Sequence, residues 1–279
     1  MSKVFTEECL TAFIRQMQDN ERAKTTIQKY AKEIERFITY LEMRQPEKSD
    51  VLAYRDELLK KNSPGTVNGK LIAINAFLRF CGLEQSRVRL LRVQKTHFIE
   101  ESRMLHENEY RRLISAAKKK GNERISLLMQ TIASTGIRIS ELRYITLEAV
   151  QKRQALIAMK GKHRSVVLTE ELCRRLYAYA KKRQIGSGCI FVSRSGKPLD
   201  RSNIWREMKK LCEAAHVSAK KVYPHSLRHL FARMFYAVKN DLGYLADLLG
   251  HSSVNTTRIY TAQSVQMHRS VLEGLRLVI

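Results

Sequence analysis

No stretch of the chain approaches the roughly 18 to 20 uninterrupted apolar residues that span a bilayer, so no membrane helix and no membrane partner are expected. Met1 to Asn20 lacks the apolar centre of a secretory leader, because Lys3, Glu7, Glu8 and Arg15 interrupt it. The expected location is therefore cytoplasmic, at the nucleoid. Cysteine is sparse: Cys9, Cys81, Cys173, Cys189 and Cys212 are scattered, odd in number and without CxxC spacing. They read as reduced, mostly buried thiols, and a zinc site is not expected. GxxxxGKS, GxGxxG and EF-hand spacings are missing too, so nothing supports a nucleotide or calcium site, and no cofactor or metal is expected.

Acidic residues are scarce relative to basic ones. The 279 residues carry 27 Asp plus Glu against 51 Lys plus Arg, a net charge of +24. Residues 1 to 95 hold 18 basic and 12 acidic side chains, net +6, which leaves 33 against 15, net +18, for the remainder. An excess of this size points to a polyanion as partner, nucleic acid first. At 44% apolar residues the chain can still bury a core, and its length suits two domains.

Apolar periodicity predicts four amphipathic helices in the first eighty or so residues: Thr6 to Gln18, Lys24 to about Met43, a third from a Ser49 or Asp50 cap to Leu59, and Thr66 to Cys81. The pattern then breaks into alternating basic and apolar residues up to Arg103, read as a linker over 87–103 in which Arg87, Arg89, Arg92 and Lys95 are candidate DNA phosphate contacts. Downstream, helices are predicted from Asn108 or His106, over Ile125 to Thr135, over Glu170 to Lys182 and over Asn203 to Ala215. Between Tyr144 and Thr169 the period becomes strand-like. TLEAV, ALIAMK and SVVLT predict a three-stranded antiparallel sheet, and CIFV a further strand. On the Asn203 to Ala215 helix, Trp205, Met208, Leu211 and Cys212 are expected in the core, while Arg206, Lys209 and Lys210 are candidate DNA contacts. The expected fold class is mainly α with a small antiparallel β-sheet.

The chemistry concentrates in PHSLRHLFARMFYAVKNDLGYLADLLGHSSVNTTRIY, from Pro224 to Tyr260. Tyr260 ends a polar segment of small residues, soon after a Gly-His pair. Only roughly one tyrosine in a thousand is ionised at neutral pH. Its use as a nucleophile requires a base and nearby cations. Arg138 follows Gly136 at a helix junction, where backbone N–H groups can add to an anion site. Its planar fork of donors fits two phosphate oxygens. Glu141, one turn later, is placed to orient Arg138 or a histidine. His229 reads as an internally bonded residue, and His97, His106, His163, His216 and His268 show no convergent partners.

HSLRH at His225 to His229, LGH at Leu249 to His251, Tyr260 nine residues later and STGIRISEL at Ser134 to Leu142 together resemble the motif set of the tyrosine recombinases, the phage-integrase and Xer type of site-specific DNA recombinase. The resemblance implies an N-terminal helical core-binding domain that clamps DNA (1–86), the linker, and a catalytic domain with a C-terminal tail helix (104–279). It implies that Tyr260 attacks a DNA phosphodiester to form a 3′-phosphotyrosyl bond, with Arg138 and Arg228 on the non-bridging oxygens, His225 as base, His251 as a donor to the phosphate, and a lysine from the turn MKGKHR as acid. Lys160 is the better match for that lysine and Lys162 the alternative, since the turn is a residue shorter than the family's usual form. Lys162 and Arg164 also join the DNA-contact candidates. The implied partners are double-stranded DNA carrying specific recombination sites and further copies of the chain, as a tetramer on two duplexes, with accessory proteins possible. Neither metal nor ATP is implied. Ser264 to Ile279, with Val265, Val271, Leu272, Leu275, Val278 and Ile279 on one face, is implied to dock on a neighbouring protomer. A type IB topoisomerase and a non-catalytic DNA-binding regulator are the alternative readings.

Overall fold

A computed structural model of the chain describes residues 7–42, 44–93, 101–159, 162–193, 195–251 and 253–257. The chain divides into two compact units, Met1–Lys95 and Thr96–Ile279. Among the described residues no helix is long and apolar enough to cross a membrane.

The first unit is built from four helices: α1 (Glu7–Asp19), α2 (Lys24–Tyr40), α3 (Lys48–Lys61) and α4 (Pro64–Phe80). Pro64 sits at the start of α4, where its missing N–H costs nothing, so that helix begins two residues before the predicted Thr66. The apolar stripes meet in a core around Ile34, Phe37, Leu71, Ile74 and Phe77, all fully buried, with Phe13 against Phe77 at 5.5 Å between ring centroids. Burying one such side chain contributes about 1.5–3 kcal/mol. Residues 87–91, the start of the expected linker, lie extended on this unit. Asn68 and Asn75 of α4 each hold them by a pair of bonds, Asn75 to the N–H and C=O of Val88 and Asn68 to those of Leu91, at 2.8–3.1 Å. Two amides thus replace the ladder partner that an extended segment otherwise lacks.

In the second unit α5 (Glu107–Lys119) and α6 (Glu123–Thr135) are followed by a 3-10 turn, Ile139–Tyr144, then α7 (Leu147–Gln151), the strands β1 (Gln154–Met159) and β2 (Lys162–Val167), α8 (Glu170–Lys182) and α9 (Arg201–Lys209). The last described elements are α10 (Pro224–Lys239), α11 (Leu242–Leu249) and α12 (Val254–Thr257). Helix α10 packs along α6, and both belong with a core that includes Leu128, Ile132, Leu176, Phe191 and Leu227.

Four expectations are corrected. The sheet of the described residues has two strands, not three: β1 and β2 pair antiparallel from Gln154↔Val167 to Met159↔Lys162. TLEAV forms α7 because the Thr146 hydroxyl accepts the Ala149 N–H at 3.1 Å, a cap that starts a helix, and Leu147, Ala149 and Val150 are buried from it. CIFV makes only isolated bridges, Thr146↔Cys189 and Val192↔Pro198. Asp200 caps α9 by accepting the N–H of Ser202 at 2.8 Å, so this helix starts earlier and ends at Lys209. Trp205 is not in the core. Ile204 and Met208, one turn apart, form the buried line of α9, and Trp205 lies about 100° round from Ile204, 45% exposed, with the Lys209 amine 5.2 Å from its ring centre. Met208, Leu211 and Cys212 are buried as expected.

Candidate active site

Helix C-termini build this site. Helix α6 ends at Gly136, whose φ of +65° places it in the left-handed region. A Cβ there would come within 2.7 Å of Cε1 of Phe231 and 2.9 Å of Cδ2 of Leu249, so glycine is needed both for the turn and for the packing of α10 and α11 against it. The turn leaves the Gly136 carbonyl unused by α6, and Arg228 of α10 donates to it at 2.6 Å. At the end of α11, Gly250 repeats the left-handed cap at φ +63°.

The last carbonyls of α11 are shared among three arginines. Arg228 donates to the Leu249 oxygen at 2.8 Å, and Arg138 reaches the same oxygen at 3.5 Å and that of Gly250 at 3.4 Å. Arg164 of β2 donates to the Leu248 oxygen. Cations at a helix C-terminus are favoured by its partial negative charge. Arg138 and Arg228 are 90 residues apart in sequence and meet at one oxygen atom. Arg228 is 1% exposed, whereas the Arg138 side chain is 36% exposed.

Glu141 supplies the counter-charge. Its side chain, 3% exposed, accepts from Arg138 Nη1 at 3.0 Å and from Arg164 Nη2 at 2.6 Å. It also accepts the Arg138 backbone N–H at 2.7 Å, so that N–H, expected to help bind an anion, is already taken. Burial by itself raises the Glu141 pKa, but the Arg138 N–H and the two guanidinium groups outweigh it and hold the carboxyl below its ordinary value.

His251 bridges the arginines to the segment ahead of Tyr260. Its Nε2 lies 2.8 Å from Arg228 Nη2 and its Nδ1 2.9 Å from the Thr257 hydroxyl. A guanidinium has only donors, so Nε2 accepts and the ring proton sits on Nδ1, facing Thr257. The ring is neutral in this arrangement. Burial, then the charges of Arg228, Arg138 and Arg164, push the His251 pKa down to about 4 against the opposing pull of Glu141. His225, on the first turn of α10, is exposed, and its pKa is lowered by partial burial and by Arg228, Arg201 and Arg138. His229, one turn on, is half-buried with its ring 6.4 Å from that of His225, and burial drives its pKa down to about 4.

The structure thus brings Arg138, Glu141, Arg228 and His251 together, with His225 close enough to sense the arginines. Arg164, expected as a DNA contact, turns inward to this cluster, and sequence reasoning missed Thr257 altogether. Arg206 and Lys210 are exposed, with Arg206 donating to the Asn203 side chain, and Lys209 is engaged with the Ala219 carbonyl. Arg89 and Arg92 are exposed, and Arg87 is half-buried. Lys160, Tyr260, Lys95, the Lys162 side chain and the tail Ser264 to Ile279 lie outside the described residues. Among the described residues no three His, Cys, Asp or Glu side chains are grouped so as to hold a metal.

The phage integrase family model matches residues 103–267, and the phage integrase N-terminal SAM-like domain matches residues 10–85. Tyrosine recombinase XerA of Pyrococcus furiosus is 28% identical over 285 residues, covering 99% of this chain and 96% of the relative. Two solved structures share the fold. One is the XerH site-specific recombinase bound to palindromic difH substrate in a post-cleavage complex (TM-score 0.73, 20% identity, 94% of this chain and 83% of that one). The other is a lambda integrase tetramer bound to a Holliday junction (TM-score 0.70, 18% identity, 90% and 76%). With the arginine motifs in place and a family model matching more than half of its length, the chain belongs to the phage integrase family, the tyrosine recombinases.

Proposed function

We propose that this chain is a site-specific DNA recombinase that cuts and rejoins double-stranded DNA through Tyr260, acting as a tetramer on two duplexes at the nucleoid of the cytoplasm. The observation that carries the reading is the meeting of Arg138 and Arg228 at the Leu249 carbonyl, beside His251. Two guanidinium groups fixed on one point suit a phosphodiester whose non-bridging oxygens gain charge as a fifth ligand arrives. In the reaction the Tyr260 oxygen forms a bond to phosphorus and the bond to the 5′-oxygen breaks. His225, neutral at physiological pH, takes the tyrosine proton, and Lys160 gives one to the leaving oxygen. The freed 5′-hydroxyl attacks the partner strand's phosphotyrosyl bond, so bond energy is conserved and ATP is not needed. Once His251 gives up Arg228, its ring takes the other tautomer: the Thr257 hydroxyl donates to Nδ1, and the proton, now on Nε2, is donated to the phosphate. Residues 1–86 clamp the duplex, 87–103 cross it, and 104–279 carry the chemistry.

The test uses the recombination site recovered from DNA flanking the gene, nicked as a suicide substrate. On a denaturing gel the wild-type chain should give a covalent protein–DNA band that survives chelation by EDTA. Tyr260→Phe should bind the same DNA within a few-fold and give no band. An equally strong band from the variant would show that another residue is the nucleophile.

A further inference from the structure

We propose that Arg164 is a positioning residue for strand cleavage: bonded to Glu141 and to the Leu248 carbonyl, it fixes the β hairpin that carries Lys160 relative to the paired arginines. The inference rests on the function proposed above. In the β1–β2 register Arg164 stands opposite Ile157, which is 3% exposed, and two residues before Val166, which is 5% exposed. Paired and alternate residues share a sheet face, so Arg164 occupies an inward position where an apolar residue is the rule.

An inward guanidinium is tolerated only when paired and hydrogen-bonded. Arg164 is tied to Glu141 at 2.6 Å, and its side chain is 14% exposed. Gly250 makes room for it, since a Cβ there would come within 2.6 Å of Arg164 Cδ and 2.9 Å of its Nε. That Nε is buried and has no hydrogen-bond partner among the described residues. Such a cost is unexplained if the side chain only fills space.

Its bonds connect two parts of the site. Glu141 holds Arg164 with the same carboxylate that holds Arg138, and α11 receives Arg164 on the carbonyl next to the one shared by Arg138 and Arg228. β1 ends at Met159 and β2 begins at Lys162, so only Lys160 and Gly161 join them, and Arg164 follows Lys160 by four residues. A two-stranded ribbon is weakly stable by itself, and its placement depends on what it is anchored to. Here the anchor is the arginine cluster. By sharing the charge of Glu141, Arg164 also leaves Arg138 more positive toward a phosphate.

The experiment compares Arg164→Met, which keeps an apolar stem without the charge, with Arg164→Lys, Lys160→Ala and the wild type. Each is given suicide DNA whose leaving atom is either the ordinary 5′-oxygen or a 5′-sulfur, which departs without a proton. Melting curves establish folding and gel shifts measure binding. Arg164→Met should cut the oxygen substrate about 10²-fold more slowly, the scale of a 1 Å misplacement of a catalytic group. The sulfur substrate should recover most of that loss, as it should for Lys160→Ala, with DNA binding within a few-fold of wild type. Should Arg164→Met fail to fold, Arg164→Lys is read by the same ratio of the two substrates. An equal loss on both leaving groups in a folded variant, or no loss at all, overturns the proposal. If Lys160→Ala itself is not rescued by sulfur, the acid assigned under the proposed function is wrong, which is a separate result.

Discussion

Replacing Glu141 by glutamine tests whether one carboxylate holds the site together. The change preserves shape and removes charge. Glu141 receives three donors, Arg138 Nη1 at 3.0 Å, the Arg138 N–H at 2.7 Å and Arg164 Nη2 at 2.6 Å, and a glutamine amide would present its own donors to at least one of them. Arg138, Arg164 and Arg228 would then crowd the end of α11 without their shared counter-charge. Removing one partner of a buried pair costs about 3–5 kcal/mol. Arg138 is 36% exposed and water screens part of its charge, so the lower end, about 3 kcal/mol, applies. For a unit of this size each kcal/mol moves the melting temperature by roughly 2–4 °C, giving a fall of about 6–12 °C for Glu141→Gln. A DNA phosphate brings a negative charge back to the same arginines, so duplex DNA at low salt should restore part of the loss. Calorimetry with and without a duplex measures both. A melting point within about 2 °C of wild type, or a larger loss with DNA than without it, would refute this account of the site.

Acid should loosen the DNA-free protein. His229 and His251 have folded pKa values of about 4, below the roughly 6.5 of an unfolded histidine, so the unfolded chain binds protons first. Stability should be full above about pH 6.5 and fall between there and about pH 4. Below that, the lowered pKa of Glu141 adds its own loss as its carboxylate is protonated. Chemical denaturation at pH 7.5, 6 and 5 would check it, and a flat profile would count against the neutral rings. Separately, Thr257→Val should leave DNA binding within a few-fold and slow adduct formation by about tenfold, less than the roughly 10²-fold of a 1 Å misplacement, because the His251 Nδ1 proton loses its acceptor while the ring stays in place. Thr257→Ser should restore most of the rate in the same gel assay, and equal rates for all three proteins would show that the bond does not position His251.

By itself the sequence determined what is local. Helices were legible where apolar residues recur at helical spacing over a dozen residues: Glu170 to Lys182 is predicted and observed with the same ends, and Gly136 ends its helix because only glycine takes positive φ without cost. The arginine, histidine and tyrosine motifs were legible because each is a short string, and several strings in order identify the family. Short apolar runs were not decided locally: TLEAV suits a strand by composition, and the Thr146 cap with burial of Val150 made it a helix. Trp205 was placed in the core by a stripe one residue too wide, since only the packing of α9 sets which 100° sector faces inward. The tertiary structure alone decided how the site is held. Arg164 meets Leu248 across 84 residues and Arg138 meets Leu249 across 111, contacts between groups that no periodicity links. Three positive side chains crowd together because helix ends leave carbonyls unsatisfied and one buried carboxylate offsets their charge, and such an arrangement exists only after the chain has folded.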